Sequence, residues 1–412
     1  MEDDHTIRVM TTESLIEQRT AAVIVGGELN GLGLVRSMGR QKVPTIAVDI
    51  SRDRAALWSR YARGCLIRSF TGHHFVEDMV ALGKRFDRRP ILFLTDEDAV
   101  HTVSENRDEL ANWFQFRLPS DHNVKLLSNK AEFHGFALQN NFPVPHSVIL
   151  RSQSDLGLLQ HLGFPCVLKP DDKRQVLRGD KERAVRVNSL SEALEHASIM
   201  LRTPGGVIAQ EWIDGPESNI YFTLFYRGAE GRVAGIFTGR KILCFPPDVG
   251  STAICIAAPE AREALEAMTL AFAECTGFEG MGSMEYKWDD NRNKYIMIEP
   301  TVGRTDWQEE IATLCGVNIP LAAYNCELGL PGIKNTTSPT QVAWRATFMQ
   351  APPRHLIPAR TRLIDGYFRW DDPLPAFQYY CMDRTINRII RPWRMHREFS
   401  GGNGSGKSAG KI

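Results

Sequence analysis

An alternation of apolar strands with amphipathic helices begins at Ala21, and it constrains the fold of this 412-residue chain more than any other feature. The first strand reads AAVIV, and a glycine-rich turn, a helix LGLVRSMGRQ and a second strand VPTIAVD follow it. The pattern returns with HFVEDMVALGKRF and PILFLTDED. Strands that alternate with helices in this way predict a parallel, doubly wound α/β sheet up to about residue 120.

A different order of elements begins near Val124. The segment LLSNKAEFHGFALQNNFPVP predicts a helix that is capped by Ser128 and ends before Pro143. Antiparallel strands come later and end in a hairpin, MGSMEYKWDDNRNKYIMIEP, so the second region is predicted to be an α+β domain. We expect a domain boundary near residues 120 to 128.

The predicted organisation has five parts. They are an N-terminal tail over 1–19, a Rossmann-like domain over 20–124, an α+β domain over 125–330 with subdomains of about 125–206 and 207–330, a C-terminal extension over 331–400, and a flexible tail over 401–412. The chain has 49 Lys and Arg against 49 Asp and Glu, so its composition does not favour a nucleic-acid partner. The acidic N-terminus lacks an apolar signal segment and no run of 18 apolar residues occurs, so we expect a cytoplasmic protein without a membrane partner.

Two turns that follow strands of the first domain carry polar residues. The turn GGELNGLG lacks the third glycine of a dinucleotide fingerprint, because Arg36 stands in its place. Asp49, after the second strand, keeps ribose binding open, but a tight turn whose loop faces a substrate is the favoured interpretation. In LTDEDAV, the residues Asp96, Glu97 and Asp98 either face a ligand or cap the next helix.

The segment GGNGSGKS, Gly401 to Ser408, matches the Walker A pattern letter for letter. A phosphate loop needs a buried strand before it and a helix after it, because the helix N-terminus and successive backbone N–H groups hold the phosphates. Neither element is predicted around this segment. We interpret it as a Gly/Ser tail and expect any nucleotide site elsewhere.

The predicted hairpin places two carboxylates together. If Glu285 and Glu299 pair across the turn, their Cβ atoms lie about 4.5 to 5.5 Å apart on one face of the sheet. Two charges at that distance repel by about 3 to 4 kcal/mol at an effective dielectric near 20. A divalent cation with a preference for oxygen ligands would offset this repulsion. The alternative is that one Glu points to solvent or forms a surface pair with Lys287 or Arg304. A register slipped by one residue would place the two groups on opposite faces of the sheet.

Two lysines occupy positions suited to an anionic ligand. Lys169 ends the apolar strand PCVL, so its ammonium group leaves a hydrophobic wall where a phosphate oxygen could lie. Lys130 opens a helix, where the helix dipole disfavours a cation unless an anion is also present. A lysine at either position, taken singly, is more often an ordinary surface lysine.

The order of these residues resembles the ATP-grasp superfamily. Lys130, Lys169, the segment QEWIDGPE, Glu285 and Glu299 follow one another as in those enzymes, and the resemblance covers residues 20 to about 330. Within the superfamily the chain looks most like the carboxylate-amine ligases, including the D-aspartate ligase and D-alanine-D-alanine ligase types. The resemblance implies a pre-ATP-grasp domain followed by a two-subdomain ATP-grasp fold.

Carried over residue by residue, the resemblance implies contacts with ATP, a metal and the substrate. Lys130 and Lys169 would contact the phosphates, while Gln210, the backbone of Glu211 and Ile213, and Glu217 would bind the adenine and the ribose. Glu285 and Glu299 would bind magnesium, Arg240 or Lys241 would meet the γ-phosphate or the substrate carboxylate, and Arg304 would steady the reacting groups.

Two features depart from the superfamily pattern. Thr301 stands where relatives usually have Asn, so its hydroxyl would be the remaining metal ligand. The loop DDKRQVLRGDKERAV, which would cover the phosphates, contains only one glycine, Gly179, and offers Lys173, Arg174 and Arg178 as charged donors instead.

The implied cofactors are ATP and Mg²⁺, with Mn²⁺ as a compatible substitute. The implied reaction activates a small-molecule carboxylate as an acyl phosphate and joins it to a small-molecule amine, and a homodimer is consistent with the resemblance. The alternatives are an ATP-grasp enzyme that activates bicarbonate or another small acid without an amine, a non-catalytic ATP-binding scaffold, and a P-loop ATPase.

Deletion of residues 401–412 separates the last alternative from the others. We expect the truncated chain to bind ATP as tightly as the full chain, because the nucleotide site is predicted to lie elsewhere. Isothermal titration of both proteins with ATP measures this. Loss of ATP binding on truncation would support the P-loop instead.

Overall fold

The computed structural model describes residues 19–171, 184–202, 205–248, 250–334 and 341–383. The charged loop with Lys173, Arg174, Arg178 and Gly179 lies outside these ranges, as do nearly all of the predicted N-terminal tail and the whole 401–412 segment. Among the described residues, no helix has the length and apolar character that a membrane crossing requires.

The first sheet consists of four parallel strands in the order β3-β2-β1-β4. These strands are β1 (Ala22–Val25), β2 (Thr45–Asp49), β3 (Arg63–Leu66) and β4 (Ile91–Leu94). The helices of this region are α1 (Leu29–Gly39), α2 (Gly72–Gly83), α3 (Glu97–Glu105) and α4 (Arg107–Leu110). β1 is buried at all four residues, as expected for an interior strand with helices on both faces. The predicted α/β sheet is confirmed.

The small sheet follows, with antiparallel strands in the order β5-β8-β6-β7. The strands of this sheet are β5 (Ser147–Leu150), β6 (Cys166–Pro170), β7 (Val185–Val187) and β8 (Val207–Glu211). The helices of the same region are α5 (Asp121–Ser128), α6 (Lys130–Gln139) and α7 (Leu190–Met200). The expected division of the subdomains at residues 206 and 207 does not match this sheet, because β8 pairs with both β5 and β6. The small sheet therefore extends to Glu211.

The single helix predicted around Ser128 is two helices. Ser128 ends α5, and its hydroxyl has no hydrogen-bond partner within the described residues. The cap of the second helix is Asn129, whose side chain accepts from the Glu132 amide at 2.9 Å. An Asn side chain at this position satisfies an amide of the first turn, which explains why α6 begins at Lys130.

The large sheet has seven strands in the order β13-β12-β9-β10-β11-β14-β15. Its strands are β9 (Ile220–Arg227), β10 (Val233–Phe245), β11 (Ser251–Ala257), β12 (Gly280–Asp289), β13 (Lys294–Val302), β14 (Val342–Arg345) and β15 (Arg362–Asp365). The helices α8 (Arg262–Cys275), α9 (Glu310–Leu314), α10 (Ile319–Glu327) and α11 (Leu374–Phe377) complete this part. The C-terminal extension thus contributes two strands to the large sheet, since β14 pairs with β11 and β15 pairs with β14.

A buried arginine on α1 binds the C-terminal extension. Arg36 on α1 is fully buried and donates from Nε to Asp372 at 2.9 Å. Its two terminal nitrogens donate to the carbonyls of Gly366 and Tyr367 at 2.7 and 2.6 Å. The position at which a dinucleotide fingerprint has its third glycine is thus occupied by an arginine whose guanidinium binds the C-terminal segment.

We expect the substitution Asp372→Ala to lower the free energy of unfolding by about 3 to 5 kcal/mol, because it removes the carboxylate at 2.9 Å from the buried Arg36 and leaves only the more distant Glu310 at 3.9 Å. The neighbouring substitution Asp371→Ala is the matched control. Asp371 pairs with Arg40 at 3.1 Å with about half of its side chain exposed, so its loss should cost less than about 1 kcal/mol. Urea denaturation measures both values, and equal losses would contradict the account.

Candidate active site

A cavity of about 730 Å³ brings residues of all three sheets together. Ten of the twelve predicted site residues line it: Lys130, Lys169, Gln210, Glu211, Ile213, Lys241, Glu285, Glu299, Thr301 and Arg304. Arg240 and Glu217 do not line it. The sequence pattern therefore located one common cavity, although the positions of its members span most of the second domain.

The two predicted metal carboxylates face each other across the hairpin. In the register of β12 and β13, Glu285 lies opposite Glu299, and both line the cavity. Lys241 Nζ lies 2.5 Å from Glu285, and Lys130 Nζ lies 3.8 Å from Glu299. The same-face arrangement argued from the sequence is present, and the two lysines offset the repulsion between the carboxylates.

The alternative surface pairs do not form at these carboxylates. Lys287 donates instead to the carbonyls of Gly215 and Pro216, both at 3.0 Å. Arg304 forms an ion pair with Glu97 at 3.3 Å. Among the described residues, Lys241 and Lys130 form ion pairs with the hairpin carboxylates, and both come from other elements.

The donor set fits a magnesium ion. Two opposed carboxylates are hard oxygen ligands, and Mg²⁺ is usually bound in proteins by one or two carboxylates together with phosphate oxygens. Glu285 and Glu299 are 28 % and 24 % exposed at their side chains, so both can be reached from the cavity. Mg²⁺ itself stays a prediction.

Lys241 and Arg240 are neighbours in β10, so their side chains point to opposite faces of the sheet. Lys241 is buried within the cavity wall, and its pKa is raised, because the lowering effect of burial is outweighed by the charge of Glu285. Arg240 points to the other face and lies 3.7 Å from Glu260. Of the two basic residues that the sequence left open, Lys241 is the one in the cavity.

Glu217 binds the protein backbone in this structure. Its two carboxylate oxygens accept from the amides of Cys244 and Asp248, each at 2.8 Å. These contacts hold the segment between β10 and β11 against the short helix that contains Glu217. The predicted contact with ribose hydroxyls stays a prediction.

At the predicted adenine end of the cavity, hydrogen bonds fix the side chains of Gln210 and Glu211. Gln210 is 5 % exposed, and its side-chain oxygen accepts from Lys169 Nζ at 3.2 Å. The Glu211 carboxylate is held by Arg292 at 2.7 Å, and the Glu211 amide donates to the carbonyl of His146 at 2.8 Å. Ile213 lines the cavity, and within the described residues no carbonyl accepts from its amide, so this N–H group can serve a ligand.

The turn after β1 is held by the protein itself. Asp49 is buried and accepts from the Gly27 amide at 2.7 Å and from the Ser51 amide at 3.0 Å. Gly26 has a φ of +102°, a conformation that L side chains rarely adopt. The favoured interpretation of a tight turn agrees with this geometry, and Asp49 does not line the cavity.

Both interpretations of the LTDEDAV turn hold at once. Asp96 accepts from the Ala99 amide at 3.1 Å and so caps α3. Asp96 and Glu97 also line the cavity, together with Glu28 and Asn30 from the turn after β1. The edge of the first sheet therefore supplies an acidic wall to the same cavity.

Sequence reasoning missed the part played by Asp306. Its two oxygens accept from the hydroxyls of Ser283 and Thr301, both at 2.7 Å, and it lines the cavity. Ser283 and Thr301 lie opposite each other in the hairpin register. The hairpin signal could have indicated this pair of hydroxyls, but not the carboxylate that joins them from the following loop.

Comparisons with known proteins agree with this architecture. No protein-family model matches the chain. The chain is 22 % identical over 325 residues to a D-aspartate ligase of Enterococcus faecium (strain Aus0004), a match that covers 74 % of this chain and 76 % of the relative.

The solved structures similar to this chain include two further kinds of protein. An N5-carboxyaminoimidazole ribonucleotide synthetase from Thermus thermophilus superimposes with a TM-score of 0.61 at 18 % identity, over 81 % of this chain and 85 % of that chain. The biotin carboxylase domain of a Hydrogenobacter thermophilus 2-oxoglutarate carboxylase, solved with MgADP and bicarbonate, gives 0.59 at 14 % identity, over 78 % and 72 %. The ATP-grasp fold predicted from the sequence is confirmed.

The ion pair between Lys241 and Glu285 generates a stability prediction. We expect a double-mutant cycle of Lys241→Met, Glu285→Gln and the double variant to give a coupling energy of about 1 to 3 kcal/mol, between the values of exposed and fully buried pairs. Chemical denaturation of the four proteins measures it. Additive single effects would show that the contact contributes nothing to folding.

Proposed function

We propose that the protein is an ATP- and magnesium-dependent ligase that joins a carboxylate to an amine and releases ADP and phosphate. The observation that carries this proposal is the pair of opposed carboxylates, Glu285 and Glu299, flanked by Lys241 and Lys130 in one cavity. The similarity to a D-aspartate ligase supports the choice of an amino acid as one substrate.

Different residues of the cavity would bind the adenine and the phosphates of ATP. Gln210 and the free amide of Ile213 would bind the adenine edge, and Lys169, which donates to Gln210, would reach the phosphates from the end of β6. Lys130 would contact the phosphates from the first turn of α6, where the amide ends of the helix also favour an anion.

The first chemical step brings two anions together, because a carboxylate must attack the γ-phosphoryl group. Lys241 and Arg304 line the cavity and would neutralise the two partners and align them for an in-line transfer. When bound at Glu285 and Glu299, Mg²⁺ would supply charge neutralisation to the phosphate oxygens. Such groups act best when they are already fixed in place, and the burial of Lys241 fixes its ammonium group.

In the second step, an amine attacks the acyl phosphate and displaces phosphate. The enzyme needs no covalent nucleophile for this reaction. The acyl phosphate is a mixed carboxylic–phosphoric anhydride, which an amine attacks directly. Asp306 would act here as a positioning residue, since it holds the hydroxyl of Thr301 beside the metal carboxylates. Thr301 itself is the proposed further ligand of the metal.

The substrate acid can be found with hydroxylamine, which traps acyl phosphates as hydroxamates. We expect the protein to form a hydroxamate and ADP only when MgATP and a suitable acid are present, in a screen over the L- and D-amino acids and small dicarboxylates. Glu299→Gln should reduce kcat by about 10²-fold or more, because it removes a charge that holds the metal. Glu263→Gln, an exposed position on α8, is the matched control and should leave kcat unchanged.

Two outcomes would contradict the proposal. ATP binding without any acid-dependent release of phosphate would indicate a non-catalytic scaffold. Full activity of Glu299→Gln would remove the metal carboxylates from the mechanism.

The second candidate function is the activation of bicarbonate. It is favoured by the biotin carboxylase neighbour, whose structure contains bicarbonate. It predicts ADP release that requires bicarbonate and no amine. Ammonia-free and amine-free assays in buffers with and without bicarbonate separate it from the ligase.

A further inference from the structure

One wall of the cavity carries carboxylates that have no part in the ATP contacts proposed above. The turns after β1 and β4 supply three carboxylates to this wall, Glu28, Asp96 and Glu97, and the facing segment supplies one guanidinium, Arg304. Glu97 is paired with Arg304 at 3.3 Å. Glu28 is in turn paired with Arg54, which does not line the cavity.

Asp96 is held rigidly on this wall. Its Oδ1 accepts from the Ala99 amide at 3.1 Å, which fixes the carboxylate at the start of α3. Burial raises the pKa of Asp96, although the Ala99 amide and the charge of Arg304 act in the opposite direction. A carboxylate in these surroundings is a better proton acceptor than an exposed one.

A second feature of the wall points to a ligand. Gln308 is 2 % exposed and lines the cavity, and within the described parts of the chain no hydrogen bond is formed by its side-chain amide. Its amide atoms are not among the fully enclosed polar atoms that lack a partner, so they open to the cavity and can meet a ligand there. Trp307 lines the cavity beside it and adds an apolar surface. A small molecule with both polar and apolar parts would satisfy this wall.

We propose that this wall binds the acceptor amine as a small cation, and that Asp96 is the catalytic residue that takes the proton from its ammonium group. The inference rests on the proposed ligase function and deepens it by naming the class of the second substrate. A cationic or zwitterionic amine would meet the Asp96 carboxylate with opposite charge, while Arg304 and Arg54 already balance Glu97 and Glu28.

The bound ammonium group gives one proton to Asp96 and becomes a neutral amine. Its nitrogen lone pair attacks the acyl carbon, the C–N bond forms, and the bond between that carbon and the phosphate oxygen breaks. The second nitrogen proton leaves with the phosphate, and Asp96 releases its proton to water. The products are an amide, hydrogen phosphate and one proton.

The test compares two nucleophiles in the same enzyme. Hydroxylamine is largely neutral near pH 7.5 and needs no base to remove a proton before it attacks, whereas the amino groups of amino acids are protonated. We therefore expect Asp96→Asn to keep acid-dependent hydroxamate formation within about threefold and to lower ligation of the L- and D-amino acids by about 10²-fold or more. Asn is also a good helix cap, so α3 should remain intact.

Asp98→Asn is the matched control, because Asp98 lies in the same first turn of α3 but does not line the cavity. It should leave both reactions unchanged. If Asp96→Asn lowers both reactions equally, or raises the KM of the acid in the hydroxamate assay, Asp96 serves the acid substrate and the inference is overturned. An unchanged ligation rate also overturns it. If the unaltered protein forms no hydroxamate with any acid, the ligase function fails first.

Discussion

The repulsion between Glu285 and Glu299 is the constraint on which the rest of the site depends. Antiparallel pairing of β12 with β13 places the two carboxylates directly opposite each other, and that arrangement needs positive charge nearby. β10 supplies Lys241, and the first turn of α6 supplies Lys130. A cation at a helix N-terminus is disfavoured by the helix dipole, so the contact with Glu299 also explains why Lys130 is tolerated there.

The first sheet takes part in the same site through its turns. Asp49 accepts from the Gly27 amide and Asp96 caps α3, so both turns are fixed by hydrogen bonds within the first sheet's region. The pair of Glu97 with Arg304 then joins the first sheet to the segment after β13. In the proposed ligase, the lysines of the small and large sheets would face the triphosphate, and the carboxylates on the turns of the first sheet would face the acceptor amine.

Much of this could be predicted from local sequence patterns. The alternation of strands and helices predicted the first sheet. The hairpin itself was predicted, but the pairing of Glu285 with Glu299 was only assumed, and a register shift between Glu285 and Tyr286 produces it. Patterns failed where the outcome depended on contacts between distant segments. Neither the cap at Asn129 instead of Ser128, nor the placement of β8 in the small sheet, is decided by residue type alone. Asp306 and the buried contact of Arg36 with Asp372 join segments that no periodicity connects.

The most direct test of the central claim is anomalous diffraction from Mn²⁺ in crystals grown with a non-hydrolysable ATP analogue. The account predicts an anomalous peak within coordination distance of a carboxylate oxygen of Glu285, a carboxylate oxygen of Glu299 and a phosphate oxygen of the analogue. The account is contradicted if the nucleotide binds with its metal away from these two residues. It is also contradicted if the carboxylates stay paired with Lys241 and Lys130 while the metal lies elsewhere.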